Sequence, residues 1–140
     1  MIDIKKLKRM SSMSKRMVVI KNIGENKNTD VEYVFGLLNL YNKKNSGRWF
    51  WQKAVFTGAL KDAFDKFNTT VDEIIKSLKS ENEESVLKRI SAATDTLEDL
   101  LTKLEMNLGV DRENDKTYVK GHLDDNFKSL IAGSLKEIEK

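Results

Sequence analysis

The sequence predicts an all-α fold, an antiparallel four-helix-type bundle preceded by a basic, partly helical N-terminal arm. Apolar residues recur at steps of three, four and seven over much of the 140 residues, which is the period of an amphipathic helix. The chain contains no proline, so no proline ring interrupts a helix. Strand-like alternation of apolar and polar residues is scarce. We assign residues 1–45 to the arm and residues 46–140 to the bundle.

The beginning of the chain, residues 1–27, combines cations with methionines. Its apolar residues at helical spacing are Ile4, Leu7, Met10, Met13 and Met17. The pattern is typical of a basic helix or of an arm that folds on binding, and a solvated, disordered tail is the alternative. The segment lacks the apolar stretch of a signal peptide and carries Asp3 early. We therefore expect no secretory signal, whereas an organellar presequence stays open.

A short helix is predicted at about residues 30–43. Thr29 and Glu32 have the spacing of a capping box, in which both side chains satisfy free amides of a first helical turn. The predicted apolar face consists of Val31, Val34, Phe35, Leu38 and Tyr41. No predicted core residue precedes Val31, so we expect a chain without residues 1–27 to keep a folded bundle.

The stretch from Ser46 to Lys79 contains both tryptophans and predicts the main core helix. Its apolar face consists of Trp49, Phe56, Leu60, Ala63, Phe64, Phe67, Val71, Ile74 and Leu78. The apolar period passes through Asn68, Thr69 and Thr70 without a slip. One long helix over residues 48–79 is therefore favoured, with two shorter helices as the alternative.

Two further amphipathic helices complete the predicted bundle. Ser80 and Glu83 form another capping box ahead of a leucine-rich stretch that ends at Gly109, a residue suited to a left-handed stop. The last helix is predicted from Tyr118 to Ile138, where apolar residues again recur at helical spacing.

The composition argues against most site chemistry. Cysteine is absent and His122 is the single histidine, so thiol nucleophiles and the common zinc sites are excluded. Acids alternate from Asp111 to Asp115 as in a calcium loop, but Lys116 stands where that loop needs glycine. We expect a non-enzymatic protein without a metal, a cofactor or a small-molecule substrate. The longest uncharged run, Tyr33 to Asn42, is far shorter than the ~20 residues that cross a bilayer, so no membrane span is expected.

Charge is distributed unevenly along the chain. Residues 1–53 contain twelve Lys/Arg and four Asp/Glu, a net charge of +8, whereas residues 54–140 contain thirteen and eighteen, a net charge of −5. Cations neutralise phosphates, and exposed rings stack on bases, so the basic part predicts nucleic-acid binding. The candidate residues are Lys5, Lys6, Lys8, Arg9, Lys15, Arg16, Lys21, Lys27, Lys43, Lys44, Arg48, Trp51 and Lys53.

The aromatic group at the start of the central stretch has two interpretations. Trp49, Phe50 and Trp51 lie between the cations Arg48 and Lys53. These rings either contact bases or cap the end of the core, with the cations extending past them to water. The sequence leaves both interpretations open.

In layout, with a basic N-terminal part followed by a helical bundle, the chain resembles the coat proteins of filamentous archaeal viruses with linear double-stranded DNA. The resemblance spans the whole chain. It implies that residues 1–44 wrap DNA, with duplex favoured and little sequence preference, and that residues 46–140 pack against neighbouring subunits in an oligomer. The expected location is then a virion or the cytoplasm.

Two other functions stay open. One is a small helical subunit of an RNA-guided, CRISPR-type complex, which also presents basic patches on a bundle. The other is a phage- or virus-encoded inhibitor that binds a protein through the acidic part of the chain and binds no nucleic acid.

Overall fold

A computed structural model describes residues 3–45, 56–123 and 125–139, and all regular secondary structure in these ranges is helical. The predicted all-α class is confirmed. The helices are α1 (Ile4–Arg9), α2 (Ser12–Glu25), α3 (Val31–Asn45), α4 (Gly58–Ser80), α5 (Glu83–Ala92), α6 (Thr94–Leu108), α7 (Lys116–Lys120) and α8 (Asp125–Glu139).

The N-terminal helices belong to the core. In α2, the side chains of residues 17–20 and of Ile23 are at most 2% exposed, and α1 buries Ile4 and Leu7. α2 packs against α3, α4, α5, α6 and α8. The expectation that the core begins at Val31 is therefore wrong. A helix surrounded by other helices buries more than one stripe, so the amphipathic period underestimates its burial.

α3 is enclosed in the same way. Val31 and every residue from Tyr33 to Asn42 are buried, although the sequence predicted a single apolar face. A Cβ atom at Gly36 would lie 2.5 Å from the backbone oxygen of Val119, so the backbone of α7 rests directly on α3. Only glycine permits this approach without a shift of α7.

α4 passes through residues 68–70 without interruption, as its apolar period predicts. The part of the predicted long helix over residues 48–55 lies outside the described residues. Phe67 is 1% exposed and central to the core, whereas Phe64 is only partly buried. Phe64 stacks on Phe56 with ring centroids 4.4 Å apart, and Phe56 stacks on Tyr41 at 5.0 Å.

The helix predicted between Ser80 and Gly109 is divided in two. α5 begins after Asn82, whose side chain accepts a hydrogen bond from the amide of Ser85 at 2.9 Å, so Ser80 is not the cap. The two helices meet at Ala93, which keeps right-handed dihedral angles and whose carbonyl accepts a hydrogen bond from the hydroxyl of Thr96 at 2.8 Å. Such hydroxyl bonds compete with the helical ladder. Gly109 ends α6 with φ +67°, the predicted left-handed stop.

The last predicted helix is also divided, into α7 and α8. Between them, the backbone carbonyl of His122 accepts hydrogen bonds from the side chains of Asn39 and Lys43 on α3. This carbonyl is thereby held by a tertiary contact and not by a helical one, which no local pattern reveals.

At the start of α3, Asp30 replaces the predicted Thr29 as the capping side chain. Its carboxylate accepts a hydrogen bond from the amide of Glu32 at 2.9 Å. The hydroxyl of Thr29 instead donates to the carbonyl of Lys27 at 3.3 Å.

Candidate nucleic-acid interface

Two groups of cations from residues 1–45 are candidates for the interface. The first lies on α1 and at the start of α2. Asp3 caps α1 by accepting hydrogen bonds from the amides of Lys5 and Lys6 at 3.0 and 3.2 Å. Ile4 and Leu7 face the core, whereas Lys5, Lys8 and Arg9 are exposed and Lys6 is half-buried. We define the N-terminal cluster as Lys5, Lys6, Lys8, Arg9 and Lys15.

Among the residues that the structure describes, no carboxylate lies within 4.0 Å of a charged group of the N-terminal cluster. Five cations on α1 and the start of α2 produce a positive surface potential that Asp3 offsets only in part. Within the described residues they can bind an external anion without the loss of an ion pair.

The other predicted cations of this segment have acidic partners. The guanidinium of Arg16 contacts Asp72 and donates a 2.7 Å hydrogen bond to the side-chain oxygen of Asn68. Lys21 pairs with Glu25 one helical turn away, and the ammonium of Lys27 lies 4.0 Å from a carboxylate oxygen of Asp95. Exposed ion pairs such as those of Lys21 and Lys27 each contribute less than about 1 kcal/mol to stability, and they exchange readily with other ions. Arg16 is less exposed, and its contacts join α2 to α4.

The start of α2 adds to the positive potential near the N-terminal cluster. Ser11 caps this helix by accepting a hydrogen bond from the amide of Ser14 at 3.2 Å, and its first turn carries no acidic residue. No carboxylate of the first turn therefore offsets the partial positive charge of this helix N-terminus.

The second group lies where α3 ends and α7 turns, and we name it the α3-end surface: Lys43, Lys44, Tyr118 and His122. The ammonium of Lys43 lies 3.4 Å from the backbone oxygen of His122. The imidazole of His122 meets the ring of Tyr118 edge to face, with centroids 4.8 Å apart. Lys43 and Lys44 are both exposed.

Sequence reasoning missed Tyr118 as a surface residue because it assigned this ring to the apolar face of the last helix. In the structure Tyr118 is 52% exposed, and the neighbouring Val119 is buried against α3. One turn of helix contains too few residues to show which face is apolar, so the contact with α3 decides it.

His122 reports on the charge of this surface. Burial of the ring and the positive charges of Lys43 and Lys44 lower the pKa of His122 below its usual value of 6.5. We expect the double variant Lys43→Gln, Lys44→Gln to raise this pKa, and saturating nucleic acid to raise it in the unmodified chain. The single histidine gives one Cε1–H resonance, whose chemical shift against pH in NMR spectra measures both effects.

The same pKa direction has a consequence for stability. The unfolded chain binds the His122 proton more readily than the folded chain, so stability decreases as the pH falls through about 6.5 toward the folded pKa. A His122→Gln variant should lose this part of the pH dependence.

For the lysine double variant, an unchanged His122 pKa would contradict the proximity of Lys43 and Lys44 to the imidazole.

Residues Arg48, Trp51 and Lys53 of the predicted interface lie outside the described residues, as do Trp49 and Phe50. Their assignment to base contact or to the core stays a prediction.

A cluster that the sequence did not predict closes the loop after α6. Arg112 donates hydrogen bonds to Glu98, both at 3.0 Å, and to Glu105, both at 2.8 Å. The hydroxyl of Tyr33 donates to Glu105 at 2.6 Å, and burial together with this carboxylate raises the pKa of Tyr33. The hydrogen bonds that Arg112 donates to Glu105 and Glu98 likewise raise the pKa of Arg112. Each charged group has opposite-charge partners, and these contacts tie the loop to α6.

Acidic side chains in the same loop hold its turn. Asp115 accepts a hydrogen bond from the amide of Asp111 at 2.8 Å, and Asp111 accepts one from the amide of Glu113 at 3.1 Å. Within the described ranges, no group of three or more His, Asp or Glu side chains is arranged to hold a metal ion. None of the described helices has the length and apolar character that crossing a membrane requires.

A cleft of about 440 Å³ lies next to the N-terminal cluster. Its walls come from α2 and α4, and it is lined by Ser12, Met13, Arg16, Asn68, Asp72 and Ile75. The ion pair between Arg16 and Asp72 occupies part of its polar lining.

Comparison of the chain with protein-family models, with curated protein sequences and with solved structures found no match.

Proposed function

We propose that this protein is a non-enzymatic nucleic-acid-binding protein that contacts the phosphate backbone through the N-terminal cluster. The observation that carries the proposal is a group of five neighbouring cations without an acidic partner among the described residues, on helices whose other faces are buried in the core. Such a surface attracts polyanions, and binding releases the counterions condensed on the phosphates.

The chemistry of the cluster favours contact with the backbone over reading of bases. Four of its five members are lysines, which bind phosphate as point charges. Arg9 is the one member whose planar guanidinium can donate two hydrogen bonds to a guanine. Weak sequence preference is therefore expected, and duplex DNA, with its high charge density, is the favoured ligand of this cluster.

The burial of α1 and α2 changes how the contact would be made. A flexible arm would wrap around DNA and become ordered on binding, at a cost in conformational entropy. Here Lys5, Lys8 and Arg9 project from a helix that is packed on α2, α4 and α8. The protein would therefore present a preformed cationic surface, and most of its ordering cost is met during folding.

Neutralising the exposed face of α1 tests the proposal. We expect the triple variant Lys5→Gln, Lys8→Gln, Arg9→Gln to bind duplex DNA much more weakly. The slope of log K against log salt should become less negative by roughly 2 to 3 units, from about 0.9 per phosphate contact. Titration of a labelled duplex at several salt concentrations, followed by fluorescence anisotropy, measures both quantities.

The matched control is Lys66→Gln, Lys76→Gln, Lys88→Gln, which removes the same charge from exposed positions on α4 and α5. If both triple variants lose the same affinity and the same slope, only net charge matters and the N-terminal cluster is not the interface. If the α1 variant keeps wild-type affinity, the proposal is wrong.

A structural role in DNA packaging or in a viral coat, with the bundles assembling side by side, extends this proposal. The supporting feature is charge: residues 54–140 carry a net charge of −5, so the acidic part of one copy can attract the basic part of the next. Electron microscopy of the purified chain with and without linear duplex DNA tests the extension. Regular filaments that form only with DNA would support it, and binding of DNA by dispersed single molecules would contradict it.

A further inference from the structure

The α3-end surface combines an exposed ring with cations in a way that the N-terminal cluster does not. Tyr118 is the one exposed aromatic residue in the described part of the chain. Its ring contacts the imidazole of His122, and the backbone of His122 contacts the ammonium of Lys43. Ring, imidazole and cation thus form one continuous surface.

The charges around these rings favour an anion. Lys43 and Lys44 have no carboxylate within ion-pair distance in the described ranges. Asp30 pairs with Lys120 of α7, so a cation already offsets the negative charge of that carboxylate. Asp125, at the start of α8, is the described acid nearest in sequence to His122.

We propose that Tyr118, held edge to face by His122, stacks on an unpaired nucleobase while Lys43 and Lys44 contact the adjoining phosphates, so that the α3-end surface binds single-stranded nucleic acid. This inference rests on the proposed function and extends it to a second site with a different strand preference. Every base offers a flat face to an aromatic ring, so the contact tolerates any sequence. In a duplex the bases are already stacked on one another and do not reach the ring.

Three ligands separate stacking from charge. The ligands all carry phosphates but differ in accessible bases. They are a labelled oligothymidine, an abasic deoxyribose-phosphate strand of the same length, and a duplex. We expect the unmodified chain to bind oligothymidine about tenfold more tightly than the abasic strand, because one stacked base contributes on that order. Fluorescence anisotropy titrations at one salt concentration give all three affinities.

Variants of Tyr118 test whether its ring causes the difference in affinity. Tyr118→Ala should bring the oligothymidine affinity close to that of the abasic strand and leave duplex affinity unchanged, whereas Tyr118→Phe should keep the difference. Met106→Ala is the matched control, because Met106 is another exposed apolar side chain, 78% exposed and on α6.

The possible outcomes separate this inference from the proposed function. Equal affinity of the unmodified chain for oligothymidine and the abasic strand overturns the stacking site and leaves backbone binding intact. Absence of binding to every strand overturns both. If Tyr118→Ala fails to fold, the His122 Cε1–H resonance of the unmodified chain decides: a shift with oligothymidine that the abasic strand does not produce supports stacking, and identical shifts refute it.

Discussion

Removal of residues 1–27 should unfold the protein. The deletion takes away α1 and α2, with eight buried apolar side chains between Ile4 and Ile23. At about 1.5 to 3 kcal/mol each, their burial contributes about 12 to 24 kcal/mol. A whole domain has a net stability of about 5 to 15 kcal/mol. The deletion also exposes the apolar faces of the helices that α2 contacts, so the remaining chain has no enclosed core.

Circular dichroism and a thermal melt of the truncated chain check this expectation. We expect strongly reduced helicity and no cooperative transition. The triple glutamine variant of Lys5, Lys8 and Arg9 is the control, since it changes the exposed face of α1 alone and should melt like the unmodified chain. A truncated chain with a sharp transition and full helicity would show that α1 and α2 form a separable arm after all.

Phe67→Ala should lower the free energy of unfolding by about 3 to 5 kcal/mol. The ring is 1% exposed, so truncation leaves a cavity that the surrounding helices fill only in part. Urea denaturation with a common m-value measures the difference in stability.

Phe64→Ala provides the comparison, because it removes the same ring one turn earlier in α4. This ring is partly buried at the edge of the core and stacks on Phe56, so the loss should be clearly smaller than at Phe67. Equal losses of stability at both positions would mean that α4 turns a different face toward the core.

The sequence predicted local features well where one face of a helix meets one neighbour. The apolar period of α4 passes unbroken through residues 68–70, and Gly109 ends α6 in the left-handed conformation. Both outcomes depend on a residue and its near neighbours in the chain: side-chain spacing along a helix in the first case, and the freedom of glycine at positive φ in the second.

The candidate interface was predicted in part. The cations of α1 were identified from composition, because unpaired lysines stay at the surface in almost any fold. Composition did not distinguish Lys8, which is exposed and has no ionic partner among the described residues, from Arg16, which joins α2 to α4 through Asp72. That distinction depends on a residue 56 positions away in the chain.

The sequence by itself determined the all-α class, the apolar period of α4 and the segregation of positive charge in residues 1–53. The tertiary structure alone decided that α2 and α3 are enclosed, that α7 is separate from α8, and that Tyr118 is exposed. The reason is physical. An amphipathic period records one buried stripe, whereas enclosure by several helices and the approach of α7 to Gly36 arise from contacts between segments that are distant in the chain.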